Sequence, residues 1–196
     1  MILSQLAKEA VENYIKEGKI INPKNLSQEY FSQRKGVFVT IKFEKESKNG
    51  KKESFLRGCI GTYLPLRENI VQEVISNAIA AATEDYRFEK IREEELPYLS
   101  YVVYILNEPE EVSSLEELNP KKYGIIVKSQ IISSDDVLFN GHQPFKTGLL
   151  LPDLPGINTA EEQFFYACKK GEIDPQKEKI RIYRFAVEKD ELNIDS

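Results

Sequence analysis

Val37-Phe38-Val39-Thr40-Ile41-Lys42-Phe43, then Asn49-Gly50, then Phe55-Leu56-Arg57-Gly58-Cys59-Ile60, is the passage on which the fold reading turns. Val37, Val39, Ile41 and Phe43 share one face of a strand, with Thr40 and Lys42 on the other. Asn-Gly tolerates the left-handed backbone of a tight hairpin turn, so the chain is expected to reverse there and return as an antiparallel partner. A hairpin set among helical segments argues for α+β architecture rather than a purely parallel sheet.

Working outward, Leu3, Leu6, Ala7, Ala10, Val11, Tyr14 and Ile15 form one helical stripe, with Gly18 placed to stop it. A loop containing Pro23 leads to the first strand. After Pro65, the residues Ile70, Val71, Val74, Ile75, Ala78, Ile79 and Ala82 recur at helical spacing and predict a buried central helix. A short acidic turn around Glu93 to Leu96 precedes a strand from Tyr101 to Leu106, which Glu108-Pro109 closes. Ser114 with Glu117 has the spacing of a capping box for a short helix, and Tyr123 to Val127 has strand character. Thr147 to Leu151 reads as a buried strand turned by Pro152 and Pro155. Thr159 and Glu162 then cap a last helix carrying Phe164, Phe165 and Cys168 on one stripe, with Gly171 ending it. A final strand spans Ile180 to Val187.

The chain of 196 residues suits one domain over 1–196. Its 41% hydrophobic and 30% charged residues, without a low-complexity tract, argue for a globular rather than a disordered chain. Acids and bases are interspersed and the net charge is −5, so no broad basic face is available to release counterions from nucleic acid. The start lacks a secretory leader and no apolar run reaches membrane-spanning length, so a cytoplasmic protein with reduced thiols is expected. Cys59, Cys168 and His142 are three soft ligands where a structural zinc site takes four. No phosphate-binding glycine loop, dinucleotide fingerprint or paired-histidine metal motif occurs, so no cofactor is expected.

The stretch Leu56-Arg57-Gly58-Cys59-Ile60-Gly61-Thr62 resembles the R-G-C-I-G-T signature of the AMMECR family. Ala82 with Asp85, Arg87 and Phe88 resembles that family's D-x-R-F segment, Glu108-Pro109-Glu110 its P-E turn, and Gly148-Leu149-Leu150-Leu151-Pro152 its G-L-L-L-P run. The resemblance implies a two-lobed α+β fold built from two related units of three strands and two helices sharing a barrel-like, mostly antiparallel sheet. It also implies a modification pathway shared with Memo-like and radical SAM proteins, beside which such proteins are often encoded. Residues 129–145 look like an inserted loop relative to that family, and they include His142.

Physically, Arg57 and Cys59 are expected side by side on one strand face, where a guanidinium favours the nucleophilic thiolate. Gly58 and Gly61 offer no side chain, which permits a ligand or another backbone to approach. Asp85 is a candidate acid–base carboxylate, and Arg87 and Thr62 complete a candidate pocket for a small anionic ligand. The competing reading makes Cys59 a structural cysteine and Asp85–Arg87 a turn-fixing ion pair. Cys168 reads as core, and a Cys59–His142 dyad is chemically reasonable. Two functions stay open: an enzyme or enzyme subunit with a thiol-containing pocket, or a non-catalytic protein-binding module.

Overall fold

The structure, a computed structural model, describes residues 2–46, 49–130 and 146–192. The hairpin forms as its residues dictate. Strand β1 (Val37–Glu46) pairs antiparallel with β2 (Lys52–Thr62), and Val37, Val39 and Ile41 are wholly buried. The register shifts between Ile41 and Lys42, so Ile41 opposes Gly58 while Lys42 opposes Leu56. Arg57 is the extra residue of this β-bulge, and the two-residue alternation expected to carry it alongside Cys59 is interrupted there.

Strand β3 (Leu99–Leu106) pairs antiparallel with the other side of β1, and β8 (Val187–Leu192) lies beyond it. The sheet order is β2-β1-β3-β8, which leaves β2 at an edge. Helix α1 (Leu3–Glu17) packs on β3 and on α3 (Ile70–Thr83), while α3 packs on β1 and β2. Apolar stripes at helical spacing make this possible: Leu3, Leu6, Ala7, Ala10 and Val11 of α1 meet Ile70, Val71, Val74, Ile75 and Ala78 of α3 in one core. Gly18 closes α1 in the left-handed conformation, φ 67°, and Asn69 caps α3 by accepting from the Gln72 amide at 3.0 Å. The start of α1 is capped from far along the chain: Asp190 of β8 accepts from the amide of Leu3 at 2.7 Å and from the Ser4 hydroxyl at 2.8 Å. A short helix, α2 (Gln28–Ser32), lies within the stretch read as loop.

The chain divides into two compact units, Met1–Leu106 with Glu188–Ser196, and Asn107–Val187. The second contains β4 (Glu110–Val112), β5 (Gly124–Gln130), β6 (Thr147–Leu150), α4 (Ala160–Lys170) and β7 (Lys179–Phe185), in sheet order β4-β7-β5-β6. Both expected capping boxes form, at Ser114 with Glu117 before a 3₁₀ turn and at Thr159 with Glu162 before α4.

Four expectations need correction. The strands form two separate antiparallel sheets with distinct end strands, so among the described residues there is neither a shared sheet nor a closed barrel. The single final strand is two, β7 and β8, divided at Ala186; β8 reads Val-Glu-Lys-Asp-Glu-Leu, whose charges suit an edge strand and erase the alternation that reveals one. Phe165 is off the buried stripe of α4 and is 59% exposed, whereas Cys168 is buried with Gln163 and Ala167. Ser129 and Gln130, the first residues of the expected 129–145 insertion, belong to β5 and pair with β7; residues 131–145, including His142, lie outside the described residues.

The two units repeat one internal arrangement: a hairpin, a helix, then a strand on the hairpin's far side. Ile41 opposes Gly58 in the first, and Val127 opposes Gly148 in the second. A Cβ at Gly58 would overlap the Ala81 carbonyl of α3, and one at Gly148 would overlap the Ala167 carbonyl of α4. Four residues before those alanines, Asn77 donates to the Val37 carbonyl at 3.0 Å and Gln163 to the Tyr123 carbonyl at 2.8 Å. Immediately after them, Ala82 and Cys168 accept from the amides of Ile91 and Ile173. In each unit, then, a strand glycine lets the helix backbone come down onto the sheet edge. Gly58→Ala and Gly148→Ala are each expected to lower stability by about 3 kcal/mol, the upper end of overpacking costs, because the obstacle is backbone. Denaturant unfolding measures this, and a change below about 0.5 kcal/mol, the scale of an ordinary surface substitution, would contradict the close approach.

Candidate functional site

The site builds from the edge of the first sheet. Cys59 opposes Thr40 in β1, and the Thr40 hydroxyl donates to the Cys59 sulfur at 3.2 Å. The backbone amide of Cys59 points the other way, off the sheet edge, where Asp85 Oδ2 accepts it at 2.8 Å. Asp85 follows the end of α3, and the glycine-permitted descent of that helix at Gly58 brings its short side chain within reach. Its other oxygen accepts from Arg87 N at 3.2 Å and Nε at 2.9 Å, while Arg87 Nη2 donates to Oδ2 at 2.7 Å. The same Nη2 lies 3.5 Å from the Cys59 carbonyl oxygen. Together the acid and the arginine occupy one amide and one carbonyl of the edge strand, as a further strand would.

Asp85 is only 5% exposed, so burial raises its pKa, but the hydrogen bonds from Arg87 are the larger influence and the Cys59 amide adds to them. The carboxyl group is held at about 2. It is therefore ionised near neutrality with both oxygens engaged, which suits a positioning carboxylate rather than a proton donor. The Arg87 guanidinium is pushed up, chiefly by hydrogen bonding to Asp85, with a smaller contribution from attraction to Cys59. Its side chain is 43% exposed, so its outer face is open to a ligand.

The remaining sequence candidates stand elsewhere or serve packing. Arg57 forms a two-pronged pair with Glu95, at 2.7 and 3.0 Å, and donates to the Glu89 carbonyl at 2.8 Å. That pair holds the Glu95 carboxyl below the usual range and commits the guanidinium to a carboxylate rather than to the thiol. The space beside Gly58 is filled by Ala81, and that beside Gly61 by Val37 and Phe38, so the close approach these glycines permit is the chain's own. Thr62 donates to the Leu64 carbonyl at 2.6 Å, at the start of a loop held by Glu73. Glu73 is 1% exposed and accepts from the amides of Leu66 at 2.9 Å and Arg67 at 2.7 Å. Cys168 is buried, and burial pushes its thiol up.

Two participants escaped the sequence reading. Thr40 looked like a routine outward strand residue, although counting back from a two-residue turn at Asn49-Gly50 would have set it opposite Cys59. Glu73 lies off the apolar stripe that marks α3 and carries no motif that singles it out.

The second unit provides an internal control. The shared register places Ile126 where the first unit has Thr40, and Leu149 where it has Cys59. Position along the helix places Gly171 where the first unit has Asp85. The return from α4 to Ile173 is shorter than that from α3 to Ile91, and Arg87 lies in the longer return of the first unit.

An α+β chain with two antiparallel sheets and this R-G-C-I-G-T strand is an AMMECR1-type protein, and the AMMECR1 family model matches residues 4–189. The chain belongs to the AMMECR1 family. It is 41% identical over 180 residues to a Thermotoga maritima protein, covering 91% of each chain. It is 39% identical over 176 residues to protein CA_C1420 of Clostridium acetobutylicum, covering 89% of this chain but only 32% of that one. The crystal structure of the uncharacterised protein PH0010 from Pyrococcus horikoshii superposes with a TM-score of 0.77 at 30% identity, covering 96% of this chain and 89% of that one.

The acid behaviour of Asp85 follows from its shift. A carboxyl whose pKa falls from 3.8 unfolded to about 2 folded contributes stability that is fully present above pH 3.8 and is lost as pH falls through 2. Asp85→Asn is expected to cost about 2 kcal/mol at pH 7 and much less at pH 2. Denaturant midpoints at the two pH values check this; an equal loss at both would contradict it.

Proposed function

We propose that this AMMECR1-family protein is an enzyme or enzyme subunit whose working group is the Cys59 thiol, acting on a small anionic substrate. The observation that carries the reading is the internal control: where one copy of the shared arrangement has Ile126, Leu149 and Gly171, the other has Thr40, Cys59 and Asp85. Hydrocarbon and glycine suffice for packing at these places, so the hydroxyl, thiol and carboxylate are additions to the scaffold.

Their roles follow from placement. The Thr40 hydroxyl stabilises charge on sulfur, and half-buried Cys59 is the nucleophile. Arg87 draws an anionic group toward it, and Asp85 positions Arg87. Memo-like and radical SAM proteins are the partners that the family resemblance suggests. The Clostridium acetobutylicum relative, of which this chain spans 32%, is an instance of such a domain within a longer chain.

A non-catalytic protein-binding module is the second reading. Exposed Phe55 and Leu56 on the outer half of β2, with Leu64 and Leu66 beyond its end, favour it. Activity of a Cys59→Ser variant in any assay of the pathway would select that reading.

The thiol itself is tested by alkylation with iodoacetamide at pH 7, mapped by mass spectrometry on the folded protein. Cys59 is expected to be labelled while Cys168 is spared, and Arg87→Ala is expected to slow Cys59 labelling roughly tenfold. Cys59 remaining unlabelled at doses that modify it after denaturation would overturn the proposal.

A further inference from the structure

The chain has seven arginines, and five of them form ion pairs: Arg57 with Glu95, Arg87 with Asp85, Arg92 with Glu89, Arg181 with Glu111 and Arg184 with Glu110. Arg34 and Arg67 form none with a carboxylate among the described residues. These two line the same depression, of about 610 Å³, with Leu66, Glu68 and Gln72.

Both are fixed from behind by neutral groups. Arg34 Nε donates to the Arg67 carbonyl at 3.2 Å, and Arg67 donates to the Ser76 hydroxyl through Nε at 3.2 Å and Nη2 at 2.9 Å. The backbone of Arg67 is itself held by buried Glu73. Anchoring of this kind uses part of the five donors on each guanidinium and leaves its charge unneutralised. It also removes in advance much of the side-chain freedom that binding would otherwise have to restrict.

We propose that this depression binds one oxyanion, a phosphate or carboxylate group, of a small polar molecule. Glu68, which lines the same depression, sets the class. Its carboxylate, 3.4 Å from the Gln72 amide nitrogen, repels a second negative group and accepts from hydroxyl or ammonium donors. A run of acidic residues or a nucleic-acid backbone, which would bring several negative charges to the depression, is disfavoured by the same carboxylate. The site uses none of Cys59, Asp85 or Arg87, so its failure would leave the thiol reading standing.

The test is NMR titration of the full chain, following the Arg34 and Arg67 Nε–H signals and the Leu66 amide, with inorganic phosphate and separately with sodium acetate. Saturable shifts are expected with at least one, the tighter naming the group. Arg34→Gln, which leaves the loop held by Glu73 intact, should weaken that binding about tenfold, because charge-assisted bonds to a guanidinium are among the stronger ones. Glu68→Gln should tighten it about threefold by removing a like charge. Linear shifts with both ions, unchanged affinity in Arg34→Gln, or tighter binding of a tetraglutamate peptide than of either ion would overturn the proposal, the last by assigning the face to an acidic protein segment.

Discussion

The carboxylate of Asp85 joins the end of α3 to the edge of β2, and the polar arrangement of the first unit depends on it. Burying a carboxylate is costly unless its oxygens are engaged. Here the Cys59 amide and three donors from Arg87 engage them, two of these donors, Nε and Nη2, belonging to a guanidinium whose positive charge is delocalised over the fork. The strand edge is closed at the residue where it would otherwise present an amide to solvent or to another chain. The arginine is meanwhile held with Nη2 3.5 Å from the Cys59 carbonyl oxygen, one side of its guanidinium exposed.

That junction explains why the R-G-C-I-G-T and D-x-R-F segments belong together. The absence of a side chain at Gly58 lets the Ala81 carbonyl contact β2, and only then can a side chain as short as aspartate span from Asp85 to the Cys59 amide. Arg57, extruded at the bulge, is drawn instead to Glu95 in the 3₁₀ turn ahead of β3. The signature is therefore a packing device and a polar site at once. The second unit keeps the packing device at Gly148 and Ala167 without the polar site, which separates the two contributions within one chain.

Much of this was legible where the determinants are local. The β1–β2 hairpin follows from alternation plus Asn-Gly, α1 and α3 from their apolar stripes, and α4 from its capping box, because each signal spans only a few residues. What escaped was either short and charged or distant in sequence. Strand β4 has three residues and β8 carries four charges in six, so neither alternates. Asp190 caps a helix that begins 187 residues earlier in the chain. At the site, Cys59, Asp85 and Arg87 were nameable, but their linkage through a backbone amide was not, since no residue pattern encodes an edge strand's outward N–H. The bulge that redirects Arg57 is likewise a property of pairing between strands rather than of either strand alone.

The ionisation of Asp85 tests this junction most directly. A carbon-detected NMR titration of its side-chain carboxyl group in the folded protein should give a midpoint near 2, with the Cys59 amide signal moving in step. A midpoint at the ordinary 3.8 or above, with the Cys59 amide unresponsive, would mean that the carboxylate does not hold the edge strand and the arginine together.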